Sequence, residues 1–151
     1  MNAHVGTVAM LLVGAAACVR DHDRAFRPLA VGATVPGYAV STLQGDTVRL
    51  GGAERLTVLN VWATWCTECR EEMAELQALH TDFAFRGVRV VGVSVDVGPD
   101  SRVQRFAEGE KLTFPIAHDP EGRVKRLYQV VGVPETFVIG TDGRLLWRWI
   151  G

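Results

Sequence analysis

Leu56-Thr57-Val58-Leu59-Asn60-Val61-Trp62-Ala63-Thr64-Trp65-Cys66-Thr67-Glu68-Cys69 runs from an apolar stretch straight into two cysteines separated by two residues. Leu56 to Ala63 reads as a buried strand. From Cys66 to about Phe85 the apolar positions Met73, Leu76, Leu79 and Phe83 recur at helical spacing, with Arg70, Glu71 and Glu75 to the sides. The two thiols therefore stand where a strand gives way to a helix. There they can close a small disulfide with each other, and the first gains thiolate character from the unpaired N–H groups of the helix start. That is the geometry of thiol-disulfide exchange. A zinc site, the other common use of such a pair, needs two further Cys or His ligands at suitable spacing, and the sequence offers no second cluster.

Outward from this stretch, Val88 to Val95 is a nearly continuous Val-rich strand, and strand, helix and strand over this length call for a right-handed parallel crossover. Helices are expected at about Ser101 to Glu110 and Glu121 to Gln129, with a short extended piece at Phe114 to Ala117. Glu135 to Ile139 and Leu145 to Ile150, joined by Thr141-Asp142-Gly143, make a final hairpin. Upstream, Tyr38 to Ser41 and Thr47 to Leu50 flank Gln44-Gly45-Asp46 as an earlier hairpin. The expectation is an α/β fold: a mixed central sheet flanked by helices, with an N-terminal β-hairpin extension.

The 151 residues, 48% of them hydrophobic, suffice for one domain with a real core and a short appendage. A formal net charge of -1 gives no basic field, so nucleic acid is not an expected partner. Val5 to Val19 is apolar, ends in the small residues Ala15-Ala16-Ala17, and is followed by the charged run Arg20-Asp21-His22-Asp23-Arg24. It is short for a bilayer span and fits an export signal, residues 1–17, cleaved between Ala17 and Cys18. Apolar residues, small residues and then cysteine also resemble a bacterial lipoprotein signal, in which Cys18 becomes the lipidated N-terminus. Ala15 where such signals usually carry Leu, and the lack of Lys or Arg before Val5, depart from that pattern, and an uncleaved N-terminal anchor is the other reading. Residues 18–34 then form a tether and 35–151 the folded domain. The expected location is extracytoplasmic, in the periplasm or on the outer face of the cytoplasmic membrane, where disulfides persist.

Leu59-Asn60-Val61-Trp62-Ala63-Thr64-Trp65-Cys66 followed by Cys69-Arg70, together with the downstream Gly132-Val133-Pro134-Glu135-Thr136-Phe137, resembles the thioredoxin fold in its exported TlpA/ResA/CcmG (DsbE) branch. The resemblance covers roughly Val35 to Gly151. It implies a thiol-disulfide oxidoreductase that uses no cofactor and reduces disulfides in specific protein partners, such as apocytochrome c, with a membrane-bound electron donor. It also implies a cis peptide between Val133 and Pro134 beside the thiols. A proline at a strand start lacks the N–H that would extend the ladder, which leaves the backbone before it to pair with an extended substrate. In this family a helix normally follows the last hairpin and covers one face of the sheet. The sequence in hand stops at Gly151, so a bare apolar face is expected.

Cys66, at the helix start, is the expected attacking thiol, and Cys69, one turn inward, the resolving one. Glu72 is the candidate for taking the second proton. On a wheel of 100° per residue it lies roughly 40° from Leu76 and 20° from Leu79, inside the apolar stripe, where burial raises a carboxyl pKa. Family members carry an acid at that position, and Asn60 stands where cytosolic thioredoxins have a buried acid. Glu68 is a departure from the uncharged residue usual before the second cysteine. Its charge is expected to disfavour the Cys66 thiolate and make the pair more reducing than a Glu68→Pro variant.

Trp65 is expected on the docking surface, Trp62 in the core, His80 at the core edge, and Trp147 and Trp149 on one strand face. His118-Asp119-Pro120 reads as a turn leading into a helix, and Asp96 as the end of a strand near the groove. Two other functions compete. A peroxiredoxin-like thiol peroxidase needs a Thr three residues before the reactive Cys, where this chain has Ala63. A copper-handling module for oxidase assembly would hold Cu(I) with Cys66, Cys69 and a distant His, for which no convincing His stands out.

Overall fold

The computed structural model describes residues 26–52 and 55–151. The expected signal segment 1–17, Cys18 and the first part of the tether lie outside the described residues. Among the described residues, no helix is long and apolar enough to cross a membrane.

Among the described residues eleven elements follow one another: β1 (Tyr38–Ser41), β2 (Thr47–Leu50), β3 (Leu56–Trp62), α1 (Thr67–Phe83), a 3-10 turn (Ala84–Arg86), β4 (Val88–Ser94), α2 (Asp100–Gly109), β5 (Ile116–His118), α3 (Arg123–Tyr128), β6 (Glu135–Ile139) and β7 (Leu145–Ile150). A five-stranded sheet has the order β5-β4-β3-β6-β7. Its β3–β4 and β4–β5 pairs are parallel, and β3–β6 and β6–β7 are antiparallel. This is the thioredoxin-like arrangement expected. β1 and β2 form a separate hairpin that reaches the sheet edge through Leu43 N–H to Ile116 O at 2.8 Å.

Strand periodicity sorts the core into two layers. Leu59, Val61, Val91, Val93, Phe137 and Ile139 face α3 and the hairpin, against Tyr38, Leu50, Val124 and Tyr128. Val58, Trp62, Val90 and Ile116 face α1 and α2, against Met73, Leu76, Val103 and Ala107. β3 is covered on both faces, which is why its sequence is apolar at every position except Thr57 and Asn60. Gly92 on the neighbouring strand makes room for Trp62, since a Cβ there would sit 3.0 Å from the indole nitrogen.

Element boundaries depart from expectation where backbone chemistry intervenes. The extended piece moves from 114–117 to Ile116–His118, because Pro115 has no N–H to give a ladder and only its carbonyl is used, by Gly92 N–H at 3.0 Å. α3 is shorter than expected because Gly122 (φ 63) and Gln129 (φ 51) turn left-handed at its two ends. The tether also ends earlier than residue 34. Gly32 N–H donates to Leu145 O at 2.7 Å, Leu145 N–H to Ala33 O at 2.9 Å, and Thr34 bridges Arg144, so this stretch is docked along the free edge of β7.

On the α1 side of the sheet, Trp147 and Trp149 stack at 5.9 Å with planes 9° apart, on one strand face as expected. They are 48% and 54% exposed and, with Val58, Leu76, Leu79 and Val138, line an open groove of about 570 Å³ that Glu72 and Glu75 also border.

Candidate functional site

The strand-to-helix junction places the thiols. Ala63 O accepts the Cys66 N–H at 3.2 Å, so 63–66 is a tight turn at the end of β3. Cys66 then caps α1. Its backbone is extended (φ -86, ψ 116), and its Sγ accepts the Cys69 N–H at 3.1 Å. The cap role normally played by Ser or Asp is played by sulfur. One of the unpaired donors of the first turn is therefore aimed at the atom on which negative charge would form.

Cys66 and Cys69 are joined in a disulfide with Cα atoms 5.2 Å apart. Cys69 is fully buried, and Cys66 is only 4% exposed, less than a helix-start position suggests. The cover comes from the loop before β6: Val133 O lies 3.6 Å from Cys66 Sγ, and the Val133-Pro134 peptide is cis, as the resemblance implied. Trp65, 66% exposed, stands beside this contact and gives the site its large apolar surface. Trp62 is plain core at 0% exposure.

Glu72 is half-buried one turn beyond Cys69. Burial pushes its carboxyl above the usual carboxylate range, a hydrogen bond from Asn60 pulls it back, and the neighbouring Glu75 charge pushes it up again. Asn60 Nδ2 donates to Glu72 Oε2 at 3.3 Å and to Thr136 Oγ1 at 3.0 Å. Asn60, which stands where cytosolic thioredoxins have a buried acid, is therefore hydrogen-bonded to the acid on α1. Glu68 points back at the pair, its Oε2 3.9 Å from Cys66 Sγ.

Two further carboxylates frame the site, and sequence reasoning gave them little weight. Asp96 is 1% exposed rather than bordering a groove, and accepts from Thr64 N–H at 2.8 Å, Thr64 Oγ1–H at 2.5 Å and Ser94 Oγ–H at 2.7 Å. Glu135, 0% exposed, accepts from Val131 N–H at 2.7 Å and pairs with Arg148. A signal for Glu135 existed. It shares the inward period of Phe137 and Ile139 on β6, and Arg148 stands opposite Phe137 on β7. Among the residues read as ordinary, Asp119 Oδ2 caps α3 through Val124 N–H at 2.7 Å, and His80 sits edge-on to Phe114 at 6.2 Å.

Comparison with known proteins places this geometry in a family. A family profile described as the AhpC/TSA family matches residues 31–148. The chain is 33% identical over 143 residues to the thiol-disulfide oxidoreductase ResA of Oceanobacillus iheyensis, covering 91% of this chain and 72% of that protein. It is 37% identical over 118 residues to the ResA of Geobacillus thermodenitrificans, covering 78% and 67%. Among solved structures it is similar to a thiol:disulfide interchange protein DsbE from Chlorobium tepidum (TM-score 0.76, 29% identity, 82% of this chain and 86% of that one). It is also similar to StoA from Bacillus subtilis (TM-score 0.69, 25% identity, 79% and 91%). With its cysteine pair closed at the start of α1 on a thioredoxin-like sheet, the chain belongs to the AhpC/TSA family, as a thiol-disulfide oxidoreductase of the ResA/DsbE type.

Proposed function

We propose that this oxidoreductase acts as a reductase outside the cytoplasm, held at the membrane through its N-terminal segment and serving a restricted set of disulfide-bearing proteins, apocytochrome c among them. Support for the location is the apolar run Val5 to Val19 ending before Cys18, which is the lipidation candidate. The observation that carries the chemistry is the Cys66–Cys69 disulfide at the helix start with the Val133 backbone alongside. In the reduced protein the Cys66 thiolate attacks a partner disulfide, forming a mixed disulfide and releasing one partner thiol. The Cys69 thiolate then attacks Cys66 Sγ, closing the internal disulfide and releasing the second thiol. Two electrons pass to the partner, and a membrane-bound donor restores the dithiol. Trp65, Val133 and Pro134 hold the extended partner segment, and Glu72 takes the proton from Cys69.

Titration of the pair against a dithiol buffer tests the reading. A single two-electron transition between these two sulfurs, with reduction of an added protein disulfide, is expected; absence of either sinks it. The same titration reads Glu68. A charge 3.9 Å from Cys66 Sγ opposes the thiolate by roughly 1 kcal/mol in bulk water. At pH above the ordinary thiol pKa of about 8.5, where the reduced pair carries the thiolate, Glu68→Gln should therefore raise the potential by about 20 mV. An equal or lower potential would remove Glu68 from the tuning of the pair.

Glu72 gives a pH-dependent result. Its carboxyl is raised in the folded protein, so its neutral form suits the fold, and this contribution is lost as pH rises through the folded value. Glu72→Gln should accordingly be more stable than wild type at neutral pH, with the gain disappearing once pH falls below the ordinary carboxylate range. It should also slow release of the mixed disulfide at neutral pH. Unchanged exchange rates and thiol titrations in the variant would show that Cys69 passes its proton elsewhere.

A further inference from the structure

Asp96 lies 30 residues beyond Cys66 in the chain, yet its side chain is built into the turn that delivers that cysteine. The turn spans Ala63, Thr64, Trp65 and Cys66 and is closed by Cys66 N–H to Ala63 O at 3.2 Å. Its second residue, Thr64, is gripped twice. The N–H donates to Asp96 Oδ2 at 2.8 Å and the hydroxyl to Asp96 Oδ1 at 2.5 Å. Ser94 Oγ–H adds a third bond to the same carboxylate at 2.7 Å. A carboxylate that is 1% exposed and accepts three hydrogen bonds is held in one place, and it holds its partners with bonds stronger than neutral ones.

The backbone of Asp96 is anchored in turn. His118, on β5, has its side chain 2% exposed; its Nε2 contacts Asp96 O at 2.8 Å and its Nδ1 contacts Asp100 Oδ1, at the start of α2, at 2.6 Å. Thr64, Asp96, His118 and Asp100 thus tie the turn before the thiols to three elements of the scaffold: β4, β5 and α2.

We infer that Asp96 is a positioning residue for thiol-disulfide exchange, which through Thr64 fixes where Cys66 Sγ stands relative to the Val133 backbone. Substrates that engage both points depend on that spacing. A peptide segment lying along Val133 must present its sulfur at one distance from the strand, where Cys66 Sγ, 3.6 Å from Val133 O, meets it. A small aromatic disulfide such as DTNB makes no such backbone pairing and follows the thiol wherever it moves. The carboxylate therefore serves selection of extended polypeptide disulfides over small ones. Its own charge is spent on the turn, and it need not touch substrate.

The inference rests on Cys66 being the attacking thiol, and the experiment separates the two. Reduced wild type, Asp96→Ala and Thr64→Val are each reacted with DTNB and with a short synthetic peptide carrying an intramolecular disulfide, and the ratio of the peptide rate to the DTNB rate is read. Asp96→Ala should lower that ratio about tenfold and Thr64→Val, which removes only the hydroxyl bond, about threefold. Trp65 emission should shift in both as the turn loosens. If Asp96→Ala does not fold, Thr64→Val carries the test alone. A general loss of structure would slow both reactions together and leave the ratio where it was. An unchanged ratio in the folded variants overturns the positioning role. A wild-type protein whose Cys66 attacks neither probe would instead sink the exchange reading itself.

Discussion

Cys69→Ala should hold its partner protein as a mixed disulfide on Cys66 and lose multiple turnover by on the order of a thousandfold or more, because an intramolecular attack is replaced by chance encounter with an external thiol. The structure makes this variant a clean one. Cys69 is fully buried, and Ala removes only a sulfur from that position. The group that stabilises charge on Cys66 is the backbone N–H of residue 69, 3.1 Å from Cys66 Sγ, and it survives the substitution. The first attack should therefore proceed at close to its normal rate, and the defect should lie wholly in release. Non-reducing electrophoresis of the native compartment, with mass spectrometry of the adduct, measures it. Under the function proposed above, apocytochrome c peptides are the expected catch. Cys66→Ala is the control and should yield no adduct. Equal trapping by Cys66→Ala would reverse the roles of the two thiols, and absence of trapping by Cys69→Ala would mean that partners are not attacked covalently at this site.

The parts of this molecule that depend on local chemistry were readable from residue order. β1, β2, β6 and β7 begin and end where the Gly45-Asp46 and Asp142-Gly143 turns and the two-residue alternation put them, because a hairpin's register is set by its own turn. The start of α1 was readable too, since the thiol pair sits at the boundary between a two-residue and a 3.6-residue pattern. What stayed hidden was assembled across long separations. Asp96 and Thr64 are 32 residues apart, and His118 and Asp96 are 22 apart. Each taken alone is a common turn or strand-end residue, and nothing in its neighbours says that it will be buried. Asn60 was legible as the absence of an acid, but its hydrogen bond to Glu72 appears only once α1 crosses β3. The docking of residues 32–34 on β7 was invisible for a related reason. Edge pairing by backbone groups places no demand on side chains, so the segment has no periodicity to read.

Arg148→Ala is expected to cost about 3–5 kcal/mol of folding free energy, because it strands a buried carboxylate. Glu135 is 0% exposed and the Arg148 side chain 10% exposed. The guanidinium also donates to Gln129 O at 3.1 Å and Leu29 O at 3.4 Å and lies over the Phe137 ring, 5.4 Å from its centre. One side chain thus joins β7, β6, the end of α3 and the docked N-terminal segment. Its removal leaves the Glu135 carboxylate with Val131 N–H at 2.7 Å as its remaining described partner, in a place water does not reach. For a domain of this size the loss corresponds to a melting temperature lower by about 10–20 °C. The cause is separable from lost packing. Combining Arg148→Met with Glu135→Gln removes both charges while keeping bulk, and should recover most of the stability, since a neutral pair of similar volume is often no worse than a buried ion pair. The loop from Val131 to Glu135 contains the Val133-Pro134 peptide, and Glu135 closes it, so the single variant should also weaken peptide reduction at temperatures where it remains folded. Urea and thermal unfolding decide the matter. A loss below about 1 kcal/mol in Arg148→Ala would give the pair the worth of an exposed surface bridge and would remove it as the clamp on this side of the thiol site.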